Sequence, residues 1–305
     1  MFSYLARRLG LVVIVIFGVM TVVFFLQRLS GDPTNLLLPL DTPPVIRQQL
    51  RHELGLDAPL PVQYVRFIGQ ALQGDIGQSF QYKQPALGLV LARLPRTALL
   101  AATALLIAVV LAIPLGVLAA VNRNTWVDTL ATGLSLVGQA MPVYWLGLLA
   151  ILVFSVNLRW FPSMGGGSIN ALVLPASTLA IYSMARIARL TRSAVLEVLS
   201  QDYVRVARAK GVRERSVLYK HVLRNAAIPI VTMVGLQLGG LLGGAVLTEV
   251  VFAWPGMGRL AVNAVYNRDF PVVQAVALVA AFLFSFINLL VDVMYAALNP
   301  QVQLE

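Results

Sequence analysis

Side chains that could carry covalent or metal chemistry are scarce in this chain. It holds two histidines, His52 and His221, and no cysteine, which removes thiol nucleophiles, disulfides and Cys-ligated metals. No His-Glu-x-x-His zinc pair and no Gly-x-Ser-x-Gly nucleophile elbow occurs. The Gly-x-x-x-x-Gly-Lys-Ser/Thr loop, whose backbone N–H groups cradle phosphates, is missing too. The chain is therefore expected to be no enzyme, to hydrolyse no ATP by itself and to bind no cofactor. Glu249 and Asp292 fall near the ends of apolar runs, where an interfacial or satisfied structural carboxylate is the simpler reading than an ion route.

The pattern with a job to do lies at 200–225. Ser200 or Asp202 is placed to cap a short helix, Lys210 falls in its last turn, and Gly211 suits the left-handed position that closes it. A second helix then starts near Arg213 and is amphipathic, with Val217, Leu218, Val222 and Leu223 against Arg213, Arg215, Lys220 and Arg224. Pro229 is expected in the opening turn of the next apolar helix, where its missing N–H costs little. Such a basic pair could lie on an anionic leaflet. The small residues Ala207, Ala209 and Gly211 suggest instead a surface that lets a partner protein approach closely. A second small-residue pattern follows. Gly235, Gly239 and Gly243, with Gly240 and Gly244, recur at fourfold spacing, which lets helices pack backbone to backbone, either within the chain or at a gate or subunit boundary.

The elements that must position these residues are apolar. At 305 residues, 58% hydrophobic and 12% charged, the chain exceeds the apolar share of soluble domains, about 45–50%. Six runs approach the roughly 20 residues that cross a bilayer core: 9–27, 97–121, 130–156, 171–190, 226–250 and 272–298. The first follows Arg7 and Arg8 like a signal peptide, but it is long and no small-x-small cleavage site follows, so it is expected to stay as a helix. Pro114 and Pro142 interrupt the second and third runs and are candidate kinks. The predicted fold is an all-α integral membrane protein with six transmembrane helices.

A net charge of +10 would suggest nucleic acid for a soluble protein, but in a membrane chain the side each basic residue occupies decides, and no nucleic-acid partner is expected. The N-terminus, the loop at Arg123 and the segment from Arg186 to Arg224 carry 13 Lys and Arg, against three (Arg159, Arg259, Arg268) in the opposite short loops. Both termini are therefore expected in the cytoplasm. The predicted organisation is a cytoplasmic N-terminus and first helix at 1–27, an outer cap at 28–96, a five-helix core at 97–300 containing the cytoplasmic segment 200–225, and a cytoplasmic tail at 301–305. The cap holds seven basic and five acidic residues. It shows turn signals at Gly31-Asp32-Pro33, Thr42-Pro43-Pro44 and Gly74-Asp75-Ile76-Gly77-Gln78-Ser79, and helical spacing over 45–56 and 62–72.

The 200–225 segment resembles the cytoplasmic loop of binding-protein-dependent ABC importer permeases, in which Glu-Ala-Ala, three residues and Gly precede a hydrophobic-x-Leu-Pro stretch. Arg205, Val206 and Ala207 take the triplet positions, Gly211 the glycine, and His221, Leu223 and Arg224 the later ones. The wording Asp202-Tyr203-Val204-Arg205, with Ala207-Arg208-Ala209-Lys210-Gly211 and His221 to Ala226, is similar to the first permease subunit of the dipeptide, oligopeptide, glutathione and nickel branch. So are Glu249 to Gly258, Asn288 to Asp292 and Tyr295 to Pro300. The resemblance implies a bacterial inner-membrane permease that couples through Tyr203, Arg205, Val206, Ala207, Ala209, Gly211, His221, Leu223 and Arg224 to two ATP-binding subunits. ATP and magnesium would sit on those subunits. It also implies a second homologous permease and an extracytoplasmic solute-binding protein. The cargo would be dipeptides or short peptides, glutathione or nickel complexes. A secondary carrier or channel working without an ATPase is the alternative; sparse intramembrane charge and no visible inverted repeat oppose it.

Overall fold

The computed structural model describes residues 2–29, 34, 38, 42–53 and 55–298, and these are all-helical. The Gly31-Asp32-Pro33 turn, Asn299-Pro300 and the tail 301–305 lie outside the described residues. In chain order the helices are α1 (Phe2–Leu29), α2 (Pro44–Glu53), α3 (Leu60–Leu72), α4 (Ala86–Val121), α5 (Trp126–Ala140), α6 (Val143–Ala150), α7 (Ile169–Leu199), α8 (Asp202–Ala209), α9 (Arg224–Val251), α10 (Met257–Tyr266) and α11 (Phe270–Leu298). Helix α6 runs on as wider π turns over Ile151–Asn157, and α9 is preceded by Glu214–Ser216 and π turns over Val217–Leu223.

Among the described residues five helices are long and apolar enough to cross a membrane, and α5 with α6 makes a sixth if the bent pair is one span. The sequence reading placed a candidate kink at Pro142 in the third span, and the chain turns there by 101° between α5 and α6. The cause is local. Met141 precedes proline and is forced out of helical geometry into extended backbone, φ −81°, ψ 132°. Pro114 and Pro95 stay inside an unbroken α4, as bilayer helices allow when neighbours re-satisfy the freed carbonyl.

Tie points at both ends show that the bent pair still traverses the bundle. At its start, Asp128 accepts both arms of Arg192, near the end of α7. Beyond its far end, Gly166 O accepts from Arg96 Nη1 at 2.7 Å and Gly165 N donates to Phe252 O at 3.3 Å. Arg96 lies early in α4 and Phe252 caps the end of α9. The pair therefore joins opposite ends of the molecule. Helix α1 runs antiparallel to α11: Arg8 pairs with Asp292 at 3.0 Å and Gln27 accepts from Gln274. The start of α1 and the end of α11 therefore lie at the same end of the bundle.

The tightest packing belongs to α4 and α7. Ala101, Ala104, Ala108, Ala112 and Gly116 line the buried face of α4. A Cβ at Gly116 would stand 2.5 Å from Ala188 O and 2.6 Å from Thr191 Cβ, so only glycine lets these backbones meet. Small residues at close to fourfold spacing let helix backbones approach in this way.

The cap contains α2 and α3, close to the expected helical spacing, and the 74–79 turn has Gly74 and Gly77 at φ 81° and 89°. Its return is pinned. Buried Asp269, before α11, accepts from Ser79 Oγ and from Phe80 N at 3.0 Å and Gln81 N at 3.2 Å. Ile76, Ala86 and Val90 pack with Met257, Leu260 and Val272 below it.

Candidate functional site

Helix α8 ends in a Schellman motif. Gly211, at φ +75°, donates to Arg208 O at 2.9 Å, and Val212 N donates to Ala207 O at 3.2 Å. A Cβ on Gly211 would meet nothing within 4 Å, so a side chain there costs about 1 kcal/mol of backbone strain and no clash. The expected cap differs. Gln201 occupies the N-cap without a side-chain bond, while Ser200 Oγ turns back to Glu197 O at 2.7 Å. Asp202 lies inside the first turn, where its charge still favours the helix dipole.

The burial pattern decides which residues a partner can reach. Val204 and Ala207 face inward, joining Ala120, Ala194, Val195, Val217, Val222 and Ala226 in one core. Ala207 is therefore buried against the chain's own core, whereas the sequence reading expected it to be open to a partner. Residues two apart on an α-helix are separated by about 200°, so Ala207 and Ala209 cannot share a face. The outward face holds Tyr203 (43% exposed), Val206 (52%), Arg205, Ala209 and Gly211.

The second helix does not stop before the membrane. It begins at Glu214 and runs through the π turns straight into α9, because nothing between Val217 and Ile228 breaks a helix. Pro229 thus sits inside a helix and not in its opening turn. The π turns bond i to i+5, which puts Val217 and Val222 on one buried face. Leu218 and Leu223 pack partly against that core, His221 is half-buried and Arg224 is exposed. Two polar ties fix α8 to this rod: Asn225 Nδ2 donates to Tyr203 OH at 2.9 Å, and Arg208 Nε meets Glu214 Oε1 at 2.8 Å across the Gly211 turn. These ties, with the shared core of Val204, Ala207, Val217 and Val222, seat α8 directly against the start of α9.

The glycines of α9 divide into two sets. A Cβ on Gly235 would stand 2.6 Å from Val291 Cγ2, and one on Gly239 would touch Phe284 at 3.5 Å, so these two seat α11. Gly240 and Gly243 meet nothing within 4 Å and form an outward stripe with exposed Leu236, Leu247 and Val250. Gly244 lies on the same helix, but its surroundings are outside the described residues.

Besides Asp269, two buried carboxylates stand apart from this face. Fully buried Glu249 accepts from Thr97 Oγ1 at 2.6 Å and from Arg259 N at 2.9 Å, closing the N-terminus of α10. Met257 N donates to the same Thr97 oxygen at 2.8 Å, and Trp254 Nε1 to Arg96 O at 3.0 Å. This confirms the structural reading of Glu249. Asp128, 6% exposed, holds Arg192 in a bidentate pair at 2.6 and 2.7 Å. No sequence signal linked two residues so far apart. Among the described residues no cluster of His, Asp or Glu could hold a metal ion.

Residues 112–304 match the family described as binding-protein-dependent transport system inner membrane component, and residues 1–101 match its N-terminal companion. The chain belongs to this family. It is a multi-pass inner-membrane permease component of an ABC importer. Among its curated relatives are the glutathione transport system permease protein GsiC of Escherichia coli (strain K12) and that of Salmonella paratyphi A (strain ATCC 9150 / SARB42). Each is 43% identical over 304 residues, covering 99% of both chains. Among solved structures, an inward-facing MetNI methionine ABC transporter chain aligns with a TM-score of 0.59 at 22% identity, over 69% of this chain and 96% of that one. A chain of an amino acid ABC transporter crystallised with histidines gives a TM-score of 0.55 at 18% identity, over 69% and 94%. These two establish the fold of the permease core.

Proposed function

We propose that this chain forms one half of a translocation pathway for short peptides of the di- and tripeptide class, driven by separate ATP-binding subunits. The supporting observation is the outward face of α8. Tyr203 and Val206 leave apolar surface exposed beside Arg205, on a helix whose other face is locked into the α9 rod. An exposed apolar patch rimmed by charge suits a protein partner better than water. Two ATPase subunits, which carry the ATP and magnesium, dock below the permease pair. The outward stripe of Gly240 and Gly243 meets a second homologous permease. An extracytoplasmic solute-binding protein delivers cargo, and the cap meets it. Closure of the ATPase pair pushes α8, and the rigid link to α9 switches the pathway between inward and outward access.

Peptide cargo is favoured by end-to-end similarity to glutathione permeases. Cells stripped of their own peptide importers and given this chain with its neighbouring genes should take up labelled dipeptide or glutathione, each competing with the other. Uptake of a nickel complex alone would overturn the peptide assignment. The orientation is tested separately. Tags within 42–53 should report outside and tags at 212–216 inside; an inside signal from 42–53 would reverse the membrane topology.

A further inference from the structure

We infer that the cleft between the cap and the membrane helices is an outer reception site for a short peptide bearing a free carboxylate, an inference that rests on the peptide reading above. The cleft measures about 770 Å³ and lies between the end of α1, helix α3, the 74–83 turn and the start of α11. Small-molecule sites span roughly 300–1,000 Å³, so a di- or tripeptide is the right size and a folded partner loop is too large to be enclosed.

The lining has the chemistry of a peptide. Arg66 and Lys83 are exposed in it and make no ion pair among the described residues. Two unpaired cations on one cleft favour an anion, and an arginine fork suits a carboxylate. The carboxylate that opposes them, Asp75, already accepts from Gly77 N at 2.8 Å. Gln70 and Gln78 also line the cleft, and a glutamine amide offers a donor and an acceptor, the complement of peptide N–H and C=O groups. Phe67 and Ile76 supply apolar wall. Lys83 is held at φ +54°, a left-handed backbone that a lysine rarely adopts, in a turn closed by Lys83 N to Ser79 O at 3.1 Å. That turn is itself pinned by Asp269, so the cation is presented from a fixed frame. A phospholipid headgroup would satisfy the cations but leave the amides idle.

The test uses the assembled transporter in nanodiscs of neutral phosphatidylcholine, without the solute-binding protein. Binding of fluorescent Ala-Ala-Ala with a free C-terminus is compared with its C-terminal amide. The free acid should bind saturably, the amide at least tenfold more weakly. The Arg66→Glu/Lys83→Glu pair should lose the free acid by more than tenfold, while Arg93→Glu, an exposed cation outside the cleft, should not. No saturable binding, equal binding of acid and amide, or an unaffected double variant would overturn the site. So would displacement of the probe by glycerophosphate but not by unlabelled peptide, which would mark a lipid-headgroup site. Uptake by the complete system with its solute-binding protein is measured in parallel. Uptake without cleft binding sinks the cleft alone, whereas loss of peptide uptake in the wild type sinks the peptide reading first.

Discussion

Glu249→Ala should leave little folded permease. The carboxylate holds Thr97 on α4 and the first turn of α10 together at 2.6 and 2.9 Å, in a place with no solvent. Removing it leaves the Thr97 hydroxyl and the Arg259 N–H without their acceptor, at about 1–3 kcal/mol each. The sum is a large part of the roughly 5–15 kcal/mol that keeps a protein folded. At about 2–4 °C of Tm per kcal/mol in a chain of this size, detergent-solubilised Glu249→Ala should melt about 5–15 °C below wild type or fail to purify. Glu249→Gln keeps one acceptor oxygen and should fall between them. A melting temperature for Glu249→Ala within about 2 °C of wild type would show that the carboxylate holds nothing.

The second large effect separates folding from coupling. Val206→Asp places a charge on the exposed side of α8, where surface changes stay within about 0.5 kcal/mol of stability. The permease should purify and melt normally. If α8 docks an ATPase, the new charge is trapped in that contact, and retention of the ATP-binding subunits should fall more than tenfold, about 1.4 kcal/mol or more. Ala207→Asp should behave in the opposite order. Its side chain would enter the core shared with Val204, Val217 and Val222, so stability falls first and ATPase binding follows. Equal retention of the ATPase subunits by Val206→Asp and wild type would remove α8 from the docking surface.

The contrast between these neighbours shows what the sequence could and could not convey. Six apolar runs, the helix, glycine, helix order at 202–224 and the left-handed Gly211 were legible, because each depends on local composition or a single backbone requirement. The side that Ala207 faces was not. It depends on Val204, Val217 and Val222 arriving from two segments, and the π turns shift the register between them. The same limit hid the Asp128–Arg192 pair, whose members are 64 residues apart, and the anchoring of the cap by Asp269. Pro142 announced a kink but not its 101° size. For the fifth-span glycines, spacing gave the stripe and only packing could divide Gly235 and Gly239 from Gly240 and Gly243.

The central claim is that this chain moves solute only when ATPase subunits push on α8. Proteoliposomes settle it directly, with labelled peptide and saturating solute-binding protein presented at the outer face. With the permease pair and both ATP-binding subunits present, accumulation should follow added ATP and vanish with a non-hydrolysable analogue. Leaving out the ATPase subunits should reduce flux to the level of empty liposomes. Steady peptide flux from the permease chains alone, without ATP, would contradict the account and return the molecule to the carriers and channels.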